Sequence, residues 1–150
     1  MYPSFDNPCF KRIHIVTGIF SDGGYPDPDS DHRDQIMAWG LHADSLLYEM
    51  EYKNGSLVIL KEGFYYVYSK VSFLDQVVFY HNVDLKTEWY AKPIHLLTFR
   101  KFSVESSEHS TSTSYLGGVF HLRKGDALSV KVSNAKVVRY RDNIFGAYMI

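Results

Sequence analysis

The segment Gly63–Leu74 (GFYYVYSKVSFL) constrains the fold more than any other part of the chain. Read at a period of two, its odd positions are Tyr65, Val67, Ser69, Val71 and Phe73. Its even positions are Phe64, Tyr66, Tyr68, Lys70, Ser72 and Leu74. An antiparallel strand with one wet face alternates apolar with polar residues, but the first half of this one is apolar on both faces. One face can be covered by the second sheet of a sandwich. The other needs a cover of its own, and the natural candidate is another subunit. The same doubled pattern recurs at residues 115–122, with Tyr115 and Val119 on one side and Leu116, Phe120 and Leu122 on the other, and again at residues 144–150.

Short strand-like runs separated by turn signals surround this segment, which is the pattern of an all-β sandwich or barrel. Residues 11–19 read as a first strand with Ile13, Ile15, Thr17 and Ile19 on one face. A polar loop at residues 21–35 carries Gly23-Gly24, Pro26, Pro28 and five aspartates; a loop this long in a compact domain is usually functional or mobile. Residues 37–41 read as a short strand around Trp39, and residues 45–50 fit no pattern well. Asn54-Gly55 is a strong hairpin signal because both residues tolerate positive φ, and it leads into residues 56–60. Residues 77–85 alternate with Val77, Phe79, Val83 and Leu85 inward. Ile94–Phe102 follows, then a Ser/Thr-rich loop at 103–113, and Gly125-Asp126 turns the chain into residues 127–133. No helix, internal repeat or linker stands out, and 150 residues suit one domain.

An aromatic content of 16%, with 12 Tyr and 10 Phe, favours strands and exceeds the needs of one small core, which points to an interface. A net charge of −1 with scattered Lys and Arg leaves no footprint for nucleic acid or an anionic membrane. No apolar run reaches membrane-spanning length. The single cysteine, Cys9, allows no intrachain disulfide; it is either a free thiol in a loose N-terminal arm (residues 1–10) or half of an interchain bridge. None of the seven histidines forms a metal-binding pair, and His14, His81, His95 and His121 fall in strands, as structural histidines do. The acidic stretch 27–34 lacks the glycine and distant glutamate of an EF-hand. No nucleophile elbow, phosphate loop or dinucleotide motif is present. The residues therefore point to binding rather than catalysis, with no cofactor and no metal.

Six motifs in one order carry a resemblance. They are Ile13-His14-Ile15-Val16-Thr17-Gly18; Trp39; Asn54-Gly55 with Leu57-Val58-Ile59; the run from Gly63 to Val71; Ser114-Tyr115-Leu116-Gly117-Gly118-Val119-Phe120 with Gly125-Asp126; and the terminal Phe145-Gly146-Ala147-Tyr148-Met149-Ile150. Together, over residues 12–150, they resemble the tumour necrosis factor homology domain. The run Tyr68-Ser69-Lys70-Val71 and the stretch Val138-Arg139-Tyr140-Arg141-Asp142 look most like its LIGHT and Fas ligand branch. The resemblance implies a two-sheet antiparallel jelly roll at residues 11–150, homotrimeric, made as a type II membrane protein and often shed. It would act outside the cell, clustering TNF-receptor-superfamily ectodomains, of the death-receptor or HVEM and Fas kind, in the grooves between subunits. Contact with a membrane would come only through a segment outside this sequence.

The resemblance also implies roles for residues. Tyr66, Tyr68, Tyr115, Gly117, Ile144 and Tyr148 would line the trimer interface. Tyr90, with Trp89 beside it, would lead the receptor contact, unless it folds back onto its own loop; Asp31 and Arg33, and Arg141 and Asp142, would complete it. Relatives often carry a cysteine pair joining two loops at one end of the sandwich, which this chain lacks, and Ile144 stands where an aromatic is common. Asn54-Gly55-Ser56 is a glycosylation sequon as well as a turn. Two other classes are compatible with the sequence: a C1q-type jelly-roll trimer serving as a recognition or scaffold module, and a sandwich that binds or hydrolyses carbohydrate.

Overall fold

The computed structural model describes residues 12–16, 25–26, 35–37, 39, 49–75, 78–102, 110–139 and 143–150; of 12–16, 25–26 and 35 it describes the backbone alone. Eleven strands are found among them: β1 (Arg12–Val16), β2 (Tyr25–Pro26), β3 (Gln35–Ile36), β4 (Met50–Lys53), β5 (Ser56–Ile59), β6 (Gly63–Leu74), β7 (Val78–Lys86), β8 (Ile94–Phe102), β9 (Thr111–Leu122), β10 (Ala127–Val132) and β11 (Ile144–Met149). The only helical piece among the described residues is a 3-10 turn at Ala135–Val137.

The strands form two antiparallel sheets. One has four strands in the order β1-β11-β6-β9; the other has seven, β2-β3-β10-β5-β4, with β7 bridging β10 to β8. This is the expected jelly-roll sandwich. β6 is central to the smaller sheet, pairing along its whole length with β9 and over six residues with β11. A bulge in the β7–β8 pairing after Val83 shifts the register so that Asp84 meets His95. There Asp84, 1% exposed, holds His95 Nδ1 at 2.5 Å and Lys131 Nζ at 2.9 Å.

The core lies between the sheets. From the smaller sheet come the odd residues of β6 (Tyr65, Val67, Val71 and Phe73), with Leu122, Phe145 and Ala147; the larger sheet supplies Leu57, Ile59, Phe79, Val83, Leu128 and Val130. The rings of Phe73 and Phe79 stack across the gap at 3.8 Å. Tyr65 is fully buried, and its hydroxyl donates to the Lys61 carbonyl at 2.6 Å, so its polar tip is not stranded. His81 also crosses the core, with Nε2 2.9 Å from Ser69 Oγ and Nδ1 2.8 Å from Ser114 Oγ. Burial pushes its pKa down to about 3.

Four expectations need correction. Part of the loop at 21–35 pairs as β2 with β3. Met37 and Trp39 are buried but lie beyond the end of β3, where Met37 N–H still donates to the Val130 carbonyl at 2.8 Å. β9 begins at Thr111, inside the supposed Ser/Thr loop, because Thr111, Ser112 and Thr113 pair with Leu74, Phe73 and Ser72. β7 runs one residue further, to Lys86. Asn54 (φ 50°) and Gly55 (φ 82°) form the two-residue hairpin turn between β4 and β5, both with positive φ as that turn demands.

Candidate functional site

Period-two alternation puts the even residues of β6 on the outer face of the four-stranded sheet, away from the core. Register fixes their neighbours. Tyr68 lies opposite Gly146 on β11 and Gly117 on β9, Tyr66 opposite Tyr148 and Val119, and Lys70 opposite Ile144 and Tyr115. Flanking glycines leave a trough for the Tyr68 ring. Tyr66 stacks on it at 6.0 Å, Tyr148 packs at 6.4 Å from it and 5.4 Å from Tyr66, and Tyr68 is left 5% exposed.

Gly117 sets this geometry. A Cβ there would fall 2.3 Å from the Tyr66 hydroxyl, so only glycine lets Tyr66 cross β9 to reach the Tyr115 hydroxyl at 3.2 Å. That hydrogen bond, with lesser help from burial, pushes the Tyr115 pKa up to about 12. The structure thus brings together Tyr66, Tyr68, Tyr115, Gly117, Ile144 and Tyr148 on one face. Phe64, 58% exposed, and Val119, 54% exposed, lie on the same face with Tyr115 at 56%. Phe64 sits 5.0 Å from the His121 ring, whose Nε2 is 3.4 Å from Glu62. The sequence signal for Phe64 and Val119 was their parity with Tyr66 and Tyr115.

One expectation shifts here. Tyr68 does not wait for a second subunit to be covered, because Tyr66 and Tyr148 of its own chain seal it. The apolar side chains that stay more than half exposed on this face are Phe64, Tyr115 and Val119.

A second feature is the connection between β7 and β8. Its backbone turns with Tyr90 N–H on the Thr87 carbonyl at 3.4 Å. Trp89 and Tyr90 are 65% and 67% exposed. The Arg123 guanidinium sits 5.0 Å over the Trp89 ring, and Arg123 N–H is itself held by Asp126 Oδ2 at 2.9 Å in the β9–β10 turn. Trp89 therefore leans on Arg123, while Tyr90 makes no ring contact among the described residues. Asp31, Arg33, Arg141, Asp142 and Cys9 lie outside the described residues. Asn54 stands exposed at the tip of the β4–β5 hairpin.

Residues 38–150 match the sequence model of the TNF (Tumour Necrosis Factor) family. The chain belongs to this family. Human tumor necrosis factor ligand superfamily member 6, the Fas ligand, is 31% identical over 163 aligned residues, which cover 93% of this chain and 58% of the relative. Member 15 from Rattus norvegicus is 33% identical over 120 residues, covering 67% of the chain and 48% of that relative. Member 6 from Mus musculus is 29% identical over 116 residues. The chain thus spans about two fifths to three fifths of the length of these curated relatives. Family members are cytokine ligands, not enzymes. No helix among the described residues is long and apolar enough to cross a membrane.

Proposed function

We propose that this TNF-family domain assembles as a homotrimer through the outer face of its four-stranded sheet, and that the trimer binds TNF-receptor-superfamily ectodomains in the grooves between subunits. The observation that carries this reading is a two-part face. A sealed tyrosine cluster, already ordered in one chain, is bordered by Phe64, Tyr115 and Val119, each more than half exposed. Exposed apolar side chains grouped on one face in this way point to an interaction site. Covering the exposed half of each side chain is worth about 1 kcal/mol or more, so three protomers together gain roughly 10 kcal/mol gross. Sedimentation tests the assembly: the trimer is expected at micromolar concentration, and a stable folded monomer there would refute it.

Tyr90 leads the proposed receptor contact, because an exposed aromatic on a loop braced by Arg123 is the residue type that dominates interfaces. Trp89, Asp31, Arg33, Arg141 and Asp142 complete the contact. Three receptors held on one trimer bring their cytoplasmic parts together and gain from multivalency, with apoptotic or co-stimulatory signalling as the outcome. The domain acts outside the cell, either on a type II membrane anchor or shed. Surface binding to a panel of receptor ectodomains identifies the partner. Tyr90→Ala is expected to cost about 2 kcal/mol, roughly 30-fold in affinity, with the trimer intact; unchanged affinity would remove Tyr90 from the contact.

A further inference from the structure

The sequence holds one Asn-x-Ser/Thr triplet, Asn54-Gly55-Ser56, and the structure places it at the tip of the β4–β5 hairpin. Asn54 is exposed, and among the described residues its side-chain amide makes no hydrogen bond. The turn is held by the backbone, through positive φ at Asn54 and Gly55 and the pairing of Lys53 with Ser56. Among the described residues the amide nitrogen therefore has no structural task, and a substituent on it disturbs no contact there.

Its position also decides what a substituent would meet. Among the described residues β4 pairs only with β5, so the hairpin forms an edge of the seven-stranded sheet, with the charged side chains of Glu51 and Lys53 exposed along it. The tyrosine face belongs to the other sheet and points away from the sandwich. The connection bearing Tyr90 leaves β7 at Lys86, level with Val58 through their shared partner Ala127. Since β5 and β7 both run antiparallel to β10, they run parallel to each other. From that level Asn54 lies four residues back along the chain, roughly 13 Å, while residues 87–93 continue the other way.

We propose that Asn54 carries an N-linked glycan that projects from this sheet edge, clear of both the tyrosine face and the Tyr90 loop. In the transfer, Asn54 Nδ2 bonds to the anomeric carbon of a lipid-diphosphate-linked oligosaccharide; the sugar–phosphate bond breaks, the lipid diphosphate leaves, and the amide gives up one proton. The glycan screens the backbone groups on the side of β4 that meets no strand among the described residues, a site where another strand could otherwise add. The proposal rests on the extracellular reading above only in requiring passage through the secretory route.

The test directs the chain into the secretory route of mammalian cells behind a cleavable secretion signal, so that its natural address does not enter the result. Intact mass and peptide mapping are read before and after peptide N-glycosidase treatment, which converts a glycan-bearing Asn to Asp. Glycan mass on the secreted chain and conversion at Asn54 are expected. Ser56→Thr should keep the glycan; Ser56→Ala should lose it while leaving the Asn-Gly turn in place. Secreted, folded protein with Asn54 unmodified would overturn the proposal. The unglycosylated Ser56→Ala protein also separates the two readings. A trimer in Ser56→Ala that is lost in the glycosylated chain would overturn the placement of the glycan alone, whereas a Ser56→Ala monomer would count against the trimer.

Discussion

His81 gives the most quantitative test of how this sandwich is held together. Its imidazole is fully buried and spans the two sheets, bonded at one nitrogen to Ser69 of β6 and at the other to Ser114 of β9. The neutral ring meets both partners, one nitrogen donating and the other accepting. Protonation places a charge in the core, and that desolvation cost lowers the pKa from an ordinary 6.5 to about 3. The sign follows directly. The folded state favours the unprotonated form, so the contribution is complete above the unfolded pKa and is lost as pH falls from about 6.5 toward 3. At about pH 5 the unfolded chain has bound almost a full proton and the folded chain almost none. The gap is roughly 1.4 pH units of linkage relative to pH 7, about 2 kcal/mol. The assay is the urea unfolding midpoint at about pH 7 and about pH 5, at one fixed protomer concentration, for the parent chain and for His81→Gln. Gln keeps hydrogen-bonding capacity but does not titrate. The variant is expected to be less stable at neutral pH, and to lose about 2 kcal/mol less than the parent on acidification. Parallel losses in the two proteins would refute the claim that His81 is held neutral between the sheets.

Three further substitutions probe other contacts. Gly117→Ala drives a methyl group into the Tyr66 hydroxyl and breaks its bond to Tyr115; overpacking of this kind costs about 1–3 kcal/mol, expected as trimer dissociation at higher protein concentration in sedimentation with the circular dichroism unchanged. Asn143→Leu removes a buried amide whose Oδ1 accepts from Ser72 N–H at 2.8 Å and whose Nδ2 donates to the Arg139 carbonyl, and the stranded Ser72 N–H should lower stability by about 1–3 kcal/mol in urea titration. Asp75→Asn weakens a clasp in which one carboxylate oxygen binds Lys101 Nζ, 2.5 Å away, and the Ser112 hydroxyl, tying the end of β6 to β8 and β9. These hydrogen bonds, that from Lys101 first, hold the Asp75 carboxyl below the usual carboxylate range. The stabilisation is therefore present above about pH 4 and lost as pH falls further, so the melting temperatures of parent and variant should differ at neutral pH and converge in acid.

The long apolar strands were legible to the residue: β6 and β8 have the bounds read from sequence, and the Asn54-Gly55 turn stands where its two residues demand it. What escaped was pairing without apolar side chains. Thr111, Ser112 and Thr113 look like loop because nothing in them alternates in hydrophobicity. They pair because β6 is twelve residues long and its far end needs a partner; Ser72 Oγ then meets Thr113 Oγ1 at 3.2 Å. Met37 and Trp39 fail in the opposite sense. Their apolarity reports burial, not a ladder, and Tyr52 Oη takes the Trp39 N–H at 2.7 Å. That His81 is structural could be read from its strand, but its partners could not. Ser69 and Ser114 come from the other sheet, and local periodicity carries no information about which residues face each other across a core.

The tyrosine face shows where such a reading stops. Parity alone puts Phe64, Tyr66, Tyr68, Tyr115, Val119 and Tyr148 on one surface, but it cannot divide them into closed and open sets. The division comes from register: Gly146 and Gly117 flank Tyr68, and the space they leave lets Tyr66 and Tyr148 fold over it. In the proposed assembly this matters for affinity more than for area. Rings already packed at 5.4–6.4 Å in one chain lose little further freedom on association, so the ordering cost of about 0.5–1.5 kcal/mol per side chain falls on Phe64, Tyr115 and Val119 and not on the cluster beneath them. Substitutions at Phe64 or Val119 should then weaken the trimer without unfolding the protomer, whereas Tyr68→Ala should do both, because it empties a cavity that the chain itself has closed.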